Sequence, residues 1–280
     1  MGNNVGCLKI NVFKKKKQDT VSAVNNISTV KLGEEGVISR ESEQKKAVLV
    51  GLNYTGTSAA LQGCINDVNR MKQTLINRFG HRNVKIYTDA DLSVQKNILQ
   101  VLDELIDSKE NKLFFQYSGH GTQVKDQDGD EIDGLDEALY SVKGTIIRDD
   151  DINERVKKIP AGSTLVMIID ACHSGSMIDL PYQLENGKIN KLNDKVVNGN
   201  VICISGCRDT QVSMDVNDGR IAYGAMSSAL NTVLKNESST NLTWKDLVYK
   251  MNAELRSNRY AQVPLLSVSH PELINEKVDM

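Results

Sequence analysis

Two short stretches of the chain place a reactive side chain directly after an apolar run. His120 lies in "YSGHG" and Cys172 lies in "DACHSG". A cysteine attacks as its thiolate, and a free thiol with a pKa of about 8.5 needs a base or an imidazolium close by. Adjacent residues on an extended chain point in opposite directions, so Cys172 and His173 cannot easily face one another. We therefore expect the partner of Cys172 to come from another part of the chain.

The elements that must position these residues are strands alternating with helices from Lys46 onward. Apolar residues at helical spacing run from Leu61 to Phe79 and end at Gly80, and a second helix is predicted from about Ser93 to Ser108. Buried strands are predicted at "AVLVGL", "VKIYT", "KLFFQYSGHG", "STLVMIIDACHSG", "NVICISGC" and "VPLLSVS". This alternation predicts an α/β fold with a mostly parallel central sheet and helices on both faces.

In such sheets ligands bind beyond the carboxyl ends of the strands. If the strands that end before His120 and Cys172 are neighbours, an imidazole and a thiol meet from 52 residues apart in sequence. The backbone amides of Gly175 and Cys172 would then supply an oxyanion hole. For either residue alone, a buried structural cysteine or a loop histidine is the simpler interpretation; the matched glycine-rich settings favour the catalytic one.

The motifs resemble those of a known family. "YSGHG" and "DACHSG", preceded by "GCINDV" and followed by "ISGCRDTQVSMDV", are similar to the metacaspases, and the similarity runs from about Lys46 to Ser269. The resemblance implies a caspase-like three-layer sandwich, a dyad of Cys172 and His120, and a cysteine endopeptidase that cleaves after Arg or Lys.

A basic preference also has a physical basis in this chain. A guanidinium or ammonium group requires carboxylates at the base of its pocket. Asp170 lies two residues before Cys172 and so points to the same side of the strand end, while Asp67 lies on the first predicted helix. By itself Asp67 is as easily a solvated helix acid. The resemblance implies that Asp67 and Asp170 line the specificity pocket and that Cys64 and Ser118 contribute to its wall.

The acidic stretch from 126 to 137 carries seven acids and no base. An EF-hand is rejected because Glu131 stands where glycine is required and because a strand precedes the loop. The resemblance implies instead a Ca²⁺ site whose ligands are Asp136, Asp149, Asp150 and Asp179. Carboxylate oxygens suit calcium. The alternative is a solvated acidic loop.

Composition excludes several classes of protein. The chain has 280 residues with 34 basic and 36 acidic side chains, so its net charge of -2 gives no reason to expect a nucleic-acid partner. Its five cysteines contain no Cys-x-x-Cys pair, which argues against a zinc or redox protein and for reduced thiols. The N-terminus lacks the apolar core of a secretory signal, so we expect a cytoplasmic protein.

Residues 1–44 are polar and lack sustained periodicity, and we interpret them as a flexible basic N-terminal arm before a peptidase domain at 45–280. The start of the arm also suggests an acylated membrane anchor, with Gly2 myristoylated, Cys7 palmitoylated and Lys14 to Lys17 attracted to anionic lipid. A plain disordered tail is the alternative.

The main functional hypothesis is therefore a calcium-stimulated cysteine endopeptidase whose substrates are proteins or peptides with Arg or Lys at the cleaved bond. The connection from Leu180 to Asn200 carries Lys188, Lys191 and Lys195, which leaves room for self-cleavage. The resemblance also implies a monomer. The alternative hypothesis is a catalytically vestigial scaffold or binding protein on a caspase-like fold, tethered to a membrane.

Overall fold

The computed structural model describes residues 29–32, 38–41, 44–94, 96–126, 134–172, 178–206, 215–217, 222–237 and 239–280. Contacts divide the chain into two units, residues 1–42 and 43–280. In the first unit, strands β1 (Thr29–Leu32) and β2 (Ile38–Glu41) form an antiparallel pair.

The second unit alternates strands and helices. Its strands are β3 (Lys45–Gly51), β4 (Asn83–Tyr87), β5 (Lys112–Ser118), β6 (Gly121–Lys125), β7 (Leu135–Tyr140), β8 (Ile146–Arg148), β9 (Thr164–Asp170), β10 (Tyr182–Glu185), β11 (Lys188–Lys191), β12 (Asn200–Ser205), β13 (Asp215–Asn217), β14 (Ala222–Gly224) and β15 (Leu265–Val268). Its α-helices are α1 (Cys64–Phe79), α2 (Asp89–Val94), α3 (Ile98–Ile106), α4 (Asp149–Val156), α5 (Ala225–Asn236) and α6 (Trp244–Ser257). Short 3-10 helices cover Val142–Gly144 and Pro271–Asn275.

An eight-stranded sheet forms the centre, in the order β11-β10-β15-β12-β9-β5-β3-β4. The run from β4 to β12 is parallel, whereas β15, β10 and β11 add antiparallel strands at one end. β3, β5, β9 and β12 are apolar on both sides because helices cover both faces of the sheet. The predicted three-layer α/β architecture is confirmed.

Two apolar cores lie on the two faces of this sheet. On one face, α3, α4 and the small sheet β6-β7-β8 pack over residues such as Tyr54, Phe115 and Tyr117. On the other, α1, α5 and α6 pack over residues such as Leu49 and Phe114. Successive residues of β5 alternate between the two cores, as the pleat of a strand requires. The carboxyl end of β5 can therefore direct neighbouring side chains to opposite faces of the sheet.

Most predicted elements are present, and the structure adds the small sheets β6-β7-β8 and β13-β14, which were not predicted. Helix α1 ends at Gly80, which adopts a left-handed φ of 73° as expected for a helix stop. The single helix predicted from Ser93 to Ser108 is instead α2 and α3, because Asn97 starts a new helix by a reciprocal capping pair with Gln100. β15 is antiparallel to β12. The connection from Leu180 to Asn200 contains the hairpin β10-β11, which the sequence analysis missed.

Within the described ranges, no helix combines the length and apolarity needed to cross a membrane.

The start of β3 meets the last residues of the chain around a buried histidine. Lys45 Nζ donates to Asp279 Oδ1 at 2.6 Å, and Lys112 Nζ lies 3.1 Å from Asp279 Oδ2. His81 lies nearby, 2% exposed, with its ring 6.5 Å from that of Phe114. Burial lowers the pKa of His81 to about 4, and the charge of Lys45 adds to the decrease. The folded protein therefore keeps this ring neutral at pH 7.

Acid should destabilise the fold through His81. Between the unfolded pKa of 6.5 and the folded pKa of about 4, the unfolded chain binds the additional proton, so the free energy of unfolding falls as pH decreases across this window. The full difference corresponds to about 3 kcal/mol. Urea unfolding at pH 7.5 and pH 4.5 should show a smaller loss for His81→Phe than for the wild type. His270→Gln is the control and should lose as much stability as the wild type; equal losses in wild type and His81→Phe would contradict this assignment.

Candidate active site

The predicted reactive residues follow two neighbouring strands. β5 and β9 pair in parallel with Ser118 opposite Asp170, so His120 and Cys172 each lie two residues beyond the paired end. Gly119 N donates to Asp170 O at 3.2 Å, which continues the contact past the strands. Cys172 is a partly exposed cysteine outside any disulfide. The predicted adjacency of the two strands is confirmed, and it places the thiol and the imidazole on one edge of the sheet.

The side chain and backbone of His120 are held from several directions. Its Nε2 lies 2.7 Å from Ala59 O, and the Tyr54 ring lies 4.8 Å from the imidazole, centroid to centroid. The His120 backbone N donates to Tyr54 Oη at 3.0 Å, and Tyr117 Oη donates to His120 O at 2.7 Å. With Nε2 engaged by a carbonyl, Nδ1 is the ring nitrogen that remains for proton transfer.

The two tyrosine hydroxyls act as one unit. They lie 2.9 Å apart, and both are within hydrogen-bonding distance of Tyr140 O. Burial raises the pKa of Tyr54 and Tyr117 well above the ordinary value, so both stay protonated and can donate. Sequence reasoning missed Tyr54 and the Ala59 carbonyl because neither carries a local motif. Tyr117 belongs to the motif "YSGHG", so its position in the sequence could have indicated a role next to His120.

Two carboxylates converge beneath the strand ends. Asp67 on α1 and Asp170 at the end of β9 are 1% and 3% exposed. Ser118 Oγ donates to Asp67 Oδ2 at 2.8 Å, and Ser227 N donates to Asp170 Oδ2 at 2.9 Å. Gly224 N donates to Asp67 at 3.0 Å. These five residues form what we call the carboxylate pocket.

Gly224 shows how closely the two acids approach. A Cβ added there would lie 2.4 Å from Asp170 Oδ2 and 3.0 Å from Asp67 Oδ2. A side chain at this position would therefore fill the space between the carboxylates. Cys64, which was predicted to line the pocket wall, is buried at the first residue of α1, one turn before Asp67. Gly224 and Ser227 had no motif to reveal them.

A second group of acids lies at the start of α4. Ligand atoms of Asp136, Asp149 and Asp150 all lie within 4.8 Å of one another, and we call these residues the acidic cluster. Burial raises the pKa of Asp149 to about 8, with further increases from the charges of Asp179 and Glu137 and of Asp150. Ionised carboxylates this close together repel one another, and a bound cation would offset that repulsion. Oxygen ligands at this separation suit calcium.

Cationic side chains contact two of the four predicted calcium ligands, Asp136 and Asp179. Arg148 Nε lies 3.1 Å from Asp136 Oδ2. Lys195 Nζ lies 2.8 Å from Asp179 Oδ2. The structure thus brings three of the four predicted calcium ligands together, while Asp179 faces Lys195 close to them. Asn153 on α4 donates to Ile178 O at 2.7 Å and so links the helix to the segment that follows Cys172.

Some predicted residues lie outside the described part of the chain. Gly175 of the predicted oxyanion hole is one, and Gly2 and Cys7 of the predicted acylated start are the others. Their predicted roles stay predictions. Cys203 is described and differs from Cys172: it is buried in β12, and burial raises its pKa to about 12, which suits a core residue.

Comparison with known proteins agrees with this geometry. Residues 45–181 match the family model described as "Metacaspase, peptidase C14 domain". Metacaspase-1 of Schizosaccharomyces pombe is 35% identical over 292 residues, which cover 81% of this chain and 68% of that protein. This chain belongs to the metacaspase family. The domain it carries is accordingly a cysteine-peptidase domain, and the resemblance predicted from the motifs is confirmed.

Other matches extend this result. Metacaspase-1 of Yarrowia lipolytica is 34% identical over 300 residues, covering 85% of this chain and 64% of that protein, so this metacaspase spans about two thirds of the length of these relatives. Among solved structures, protein GSU0716 from Geobacter sulfurreducens superposes with a TM-score of 0.62 at 23% identity, covering 83% of this chain and 97% of that one. This second likeness concerns the fold alone.

The close approach of Gly121 to Cys172 leads to a prediction for this metacaspase. A Cβ at Gly121 would lie 1.9 Å from Cys172 O, so Gly121→Ala must displace the backbone that carries the thiol. We expect hydrolysis of a labelled protein substrate to slow at least tenfold, or about 1.4 kcal/mol. Thr122→Ala, at the next position of β6, is the matched control and should stay within twofold of wild type. Equal rates in Gly121→Ala and wild type would show that this contact does not set the position of Cys172.

Proposed function

We propose that this metacaspase is a calcium-stimulated endopeptidase that cleaves proteins and peptides after Arg or Lys through Cys172 and His120. The observation that carries the proposal is the convergence of two buried carboxylates, Asp67 on α1 and Asp170 at the end of β9, the second of which lies two residues before the thiol. An enzyme that cleaves after acidic residues would need basic side chains at this place.

The reaction proceeds through an acyl-enzyme. His120 Nδ1 takes the proton of the Cys172 thiol. The thiolate attacks the carbonyl carbon of the cleaved bond, and the π electrons of the C=O bond move onto the oxygen. His120, oriented by Ala59 O and the Tyr54 ring, delivers its proton from Nδ1 to the leaving amine as the C–N bond breaks. Water, deprotonated by the same nitrogen, then releases the acid product and the thiolate. The Gly175 amide is proposed to stabilise the oxyanion.

The basic side chain before the cleaved bond is proposed to enter the carboxylate pocket. Neutral groups donate hydrogen bonds to the two acids: the Ser118 hydroxyl and the Gly224 backbone N to Asp67, and the Ser227 backbone N and the Gln262 side-chain amide to Asp170. A guanidinium placed between Asp67 and Asp170 adds charge-assisted hydrogen bonds to both acids. Desolvated carboxylates stabilise such a group strongly and reject an acid.

Calcium is proposed to bind at the acidic cluster, with Asp179 as a further ligand. The fit is supported by the 4.8 Å grouping of oxygen ligands and by the raised pKa of Asp149. When bound, the ion supplies positive charge that offsets the repulsion among these carboxylates. Asp179 lies only seven residues after Cys172 in sequence, so an ion bound to Asp179 would also restrain the position of the chain close to the thiol.

Self-processing is proposed to occur in the segment between β11 and β12. Lys188 and Lys191 are exposed on β11, where they are held in the hairpin. Lys195 lies outside regular structure and contacts Asp179, a proposed calcium ligand. We therefore favour cleavage after Lys195.

The remaining proposals concern location and assembly. We propose a monomeric cytoplasmic enzyme that associates with membranes through an acylated N-terminus. The support is the polar, lysine-rich start of the chain with Gly2 and Cys7.

A peptide panel tests the main proposal. Internally quenched peptides that differ only in Arg, Lys or Asp before the cleaved bond are incubated with the full chain, with and without calcium. We expect turnover of the Arg and Lys peptides in calcium, no turnover of the Asp peptide, and complete loss with Cys172→Ala. Asp170→Asn should lower kcat/KM for the Arg peptide at least hundredfold, or about 2.7 kcal/mol.

The matched control is Asp246→Asn, an exposed acid in the first turn of α6 that is not part of the carboxylate pocket, and it should leave the Arg peptide turnover unchanged. Turnover of the Asp peptide, or of any peptide by Cys172→Ala, contradicts the proposal. A biological effect that survives Cys172→Ala would support the scaffold alternative instead.

A second experiment tests the calcium site. Asp149→Ala combined with Asp150→Ala should raise the calcium concentration for half-maximal activity at least tenfold, because two ligands are lost. Asp151→Ala is the control, since Asp151 is exposed in the same first turn of α4, and its response should match wild type. The calcium-induced shift in thermal midpoint gives an independent readout. An unchanged calcium response in the double variant would place the site elsewhere.

Mass spectrometry of the calcium-treated chain would locate self-cleavage, which should disappear with Lys195→Gln.

A further inference from the structure

A cavity of about 610 Å³ lies beside His120 on the side away from the carboxylate pocket. Its wall includes the Tyr54 ring, which stacks on the imidazole, and Ala59, whose carbonyl contacts Nε2. Tyr140 and Val142 form the apolar part, and Asp89 lies at its rim. We call this space the leaving-side cavity. Neither the motifs nor the proposed dyad and pocket account for it.

The leaving-side cavity and the carboxylate pocket belong to opposite faces of the central sheet. Tyr54 packs in the core beneath α3 and α4, and Tyr140 and Val142 pack against that same core. Asp67 lies on α1 and Ser227 on α5, the helices of the other face. The paired ends of β5 and β9 lie between the two spaces. A ligand that occupies both must cross the carboxyl ends of these strands.

The proposed reaction requires the substrate to extend across these strand ends. The basic side chain before the cleaved bond is held in the carboxylate pocket on one face. His120 must reach the leaving nitrogen to protonate it, so the residue that carries this nitrogen lies against the imidazole. The Tyr54 ring and Ala59 both contact the imidazole and both line the cavity, so the cavity begins next to the ring that the leaving residue must approach.

We infer that the leaving-side cavity binds the side chain of the substrate residue that follows the cleaved bond. This inference rests on the proposed peptidase function and adds a second specificity determinant to it. The cavity favours a bulky uncharged side chain, such as Tyr or Val, over Gly. Burial of apolar area against Tyr54, Tyr140 and Val142 supplies the preference.

The negative charge of Asp89, which lines the cavity, disfavours substrates with an acidic residue after the cleaved bond. Asp89 is fixed there because its two carboxylate oxygens accept hydrogen bonds from the backbone N atoms of Asn53 and Tyr54. The held carboxylate repels a second carboxylate that enters the same space. An acidic residue after the cleaved bond is therefore disfavoured even when Arg precedes it.

Four quenched peptides test the inference. All carry Arg before the cleaved bond and differ only in the next residue, which is Tyr, Val, Gly or Asp. With the calcium-treated full chain, we expect kcat/KM for the Tyr and Val peptides to exceed that for Gly about tenfold, and the Asp peptide to fall at least tenfold below Gly.

Variants that fill the cavity test whether it is the source of the preference for Tyr over Gly. Val142→Trp should lower the ratio of kcat/KM for Tyr over Gly at least fivefold, and Ala90→Trp, at another lining residue, should do the same if the first variant does not fold. Ile76→Trp makes a similar change in size at an exposed site on α1 and should keep the wild-type ratio. Thermal unfolding checks that each variant is folded.

The outcomes separate the two proposals. Cleavage of all four Arg peptides at equal rates, or a Tyr over Gly ratio that survives both tryptophan variants, overturns the leaving-side assignment and leaves the Arg preference standing. Cleavage of none of the Arg peptides overturns the proposed function and this inference with it.

Discussion

The parallel pairing of β5 with β9 is the constraint on which the site depends. Because Ser118 stands opposite Asp170, the residues two positions further, His120 and Cys172, are delivered to the same edge. A slip of one residue would exchange the faces to which every side chain of the strand points. It would send Asp170 into the wrong core and turn Ser118 away from Asp67. Because both faces of these strands are buried in close-packed cores, such a slip would also disrupt the side-chain packing of both layers.

That register also explains how one edge carries two kinds of chemistry. Tyr117 points to the face that holds the backbone of His120, and Ser118 points to the face that holds the acids. Neighbouring positions of one strand thereby serve catalysis and recognition separately. Substitutions on one face can alter substrate choice without disturbing the tyrosine hydroxyls that fix the imidazole.

Local sequence patterns predicted the helices and strands whose formation depends on neighbouring residues. The apolar spacing before Gly80 predicted α1, and the strands that end near His120 and Cys172 follow from their apolar runs. The order of strands, by contrast, depends on contacts between distant segments, so the adjacency of β5 and β9 entered as a condition. The Ala59 carbonyl could not be foreseen, because any residue has a carbonyl and only the loop path brings this one to His120. Gly224 reaches Asp67 from 157 positions away, with no signal in its neighbourhood.

The hairpin β10-β11 ends the sheet with a strand of four exposed residues that begins and finishes with lysine. Two such strands from different molecules, if paired antiparallel in register, would place Lys188 of one opposite Lys191 of the other at both ends. Like charges facing each other across a ladder oppose pairing, and short charged edges are a common protection against strand addition. The hairpin thus replaces the hydrogen-bonding edge of β15 with one that repels its own copy.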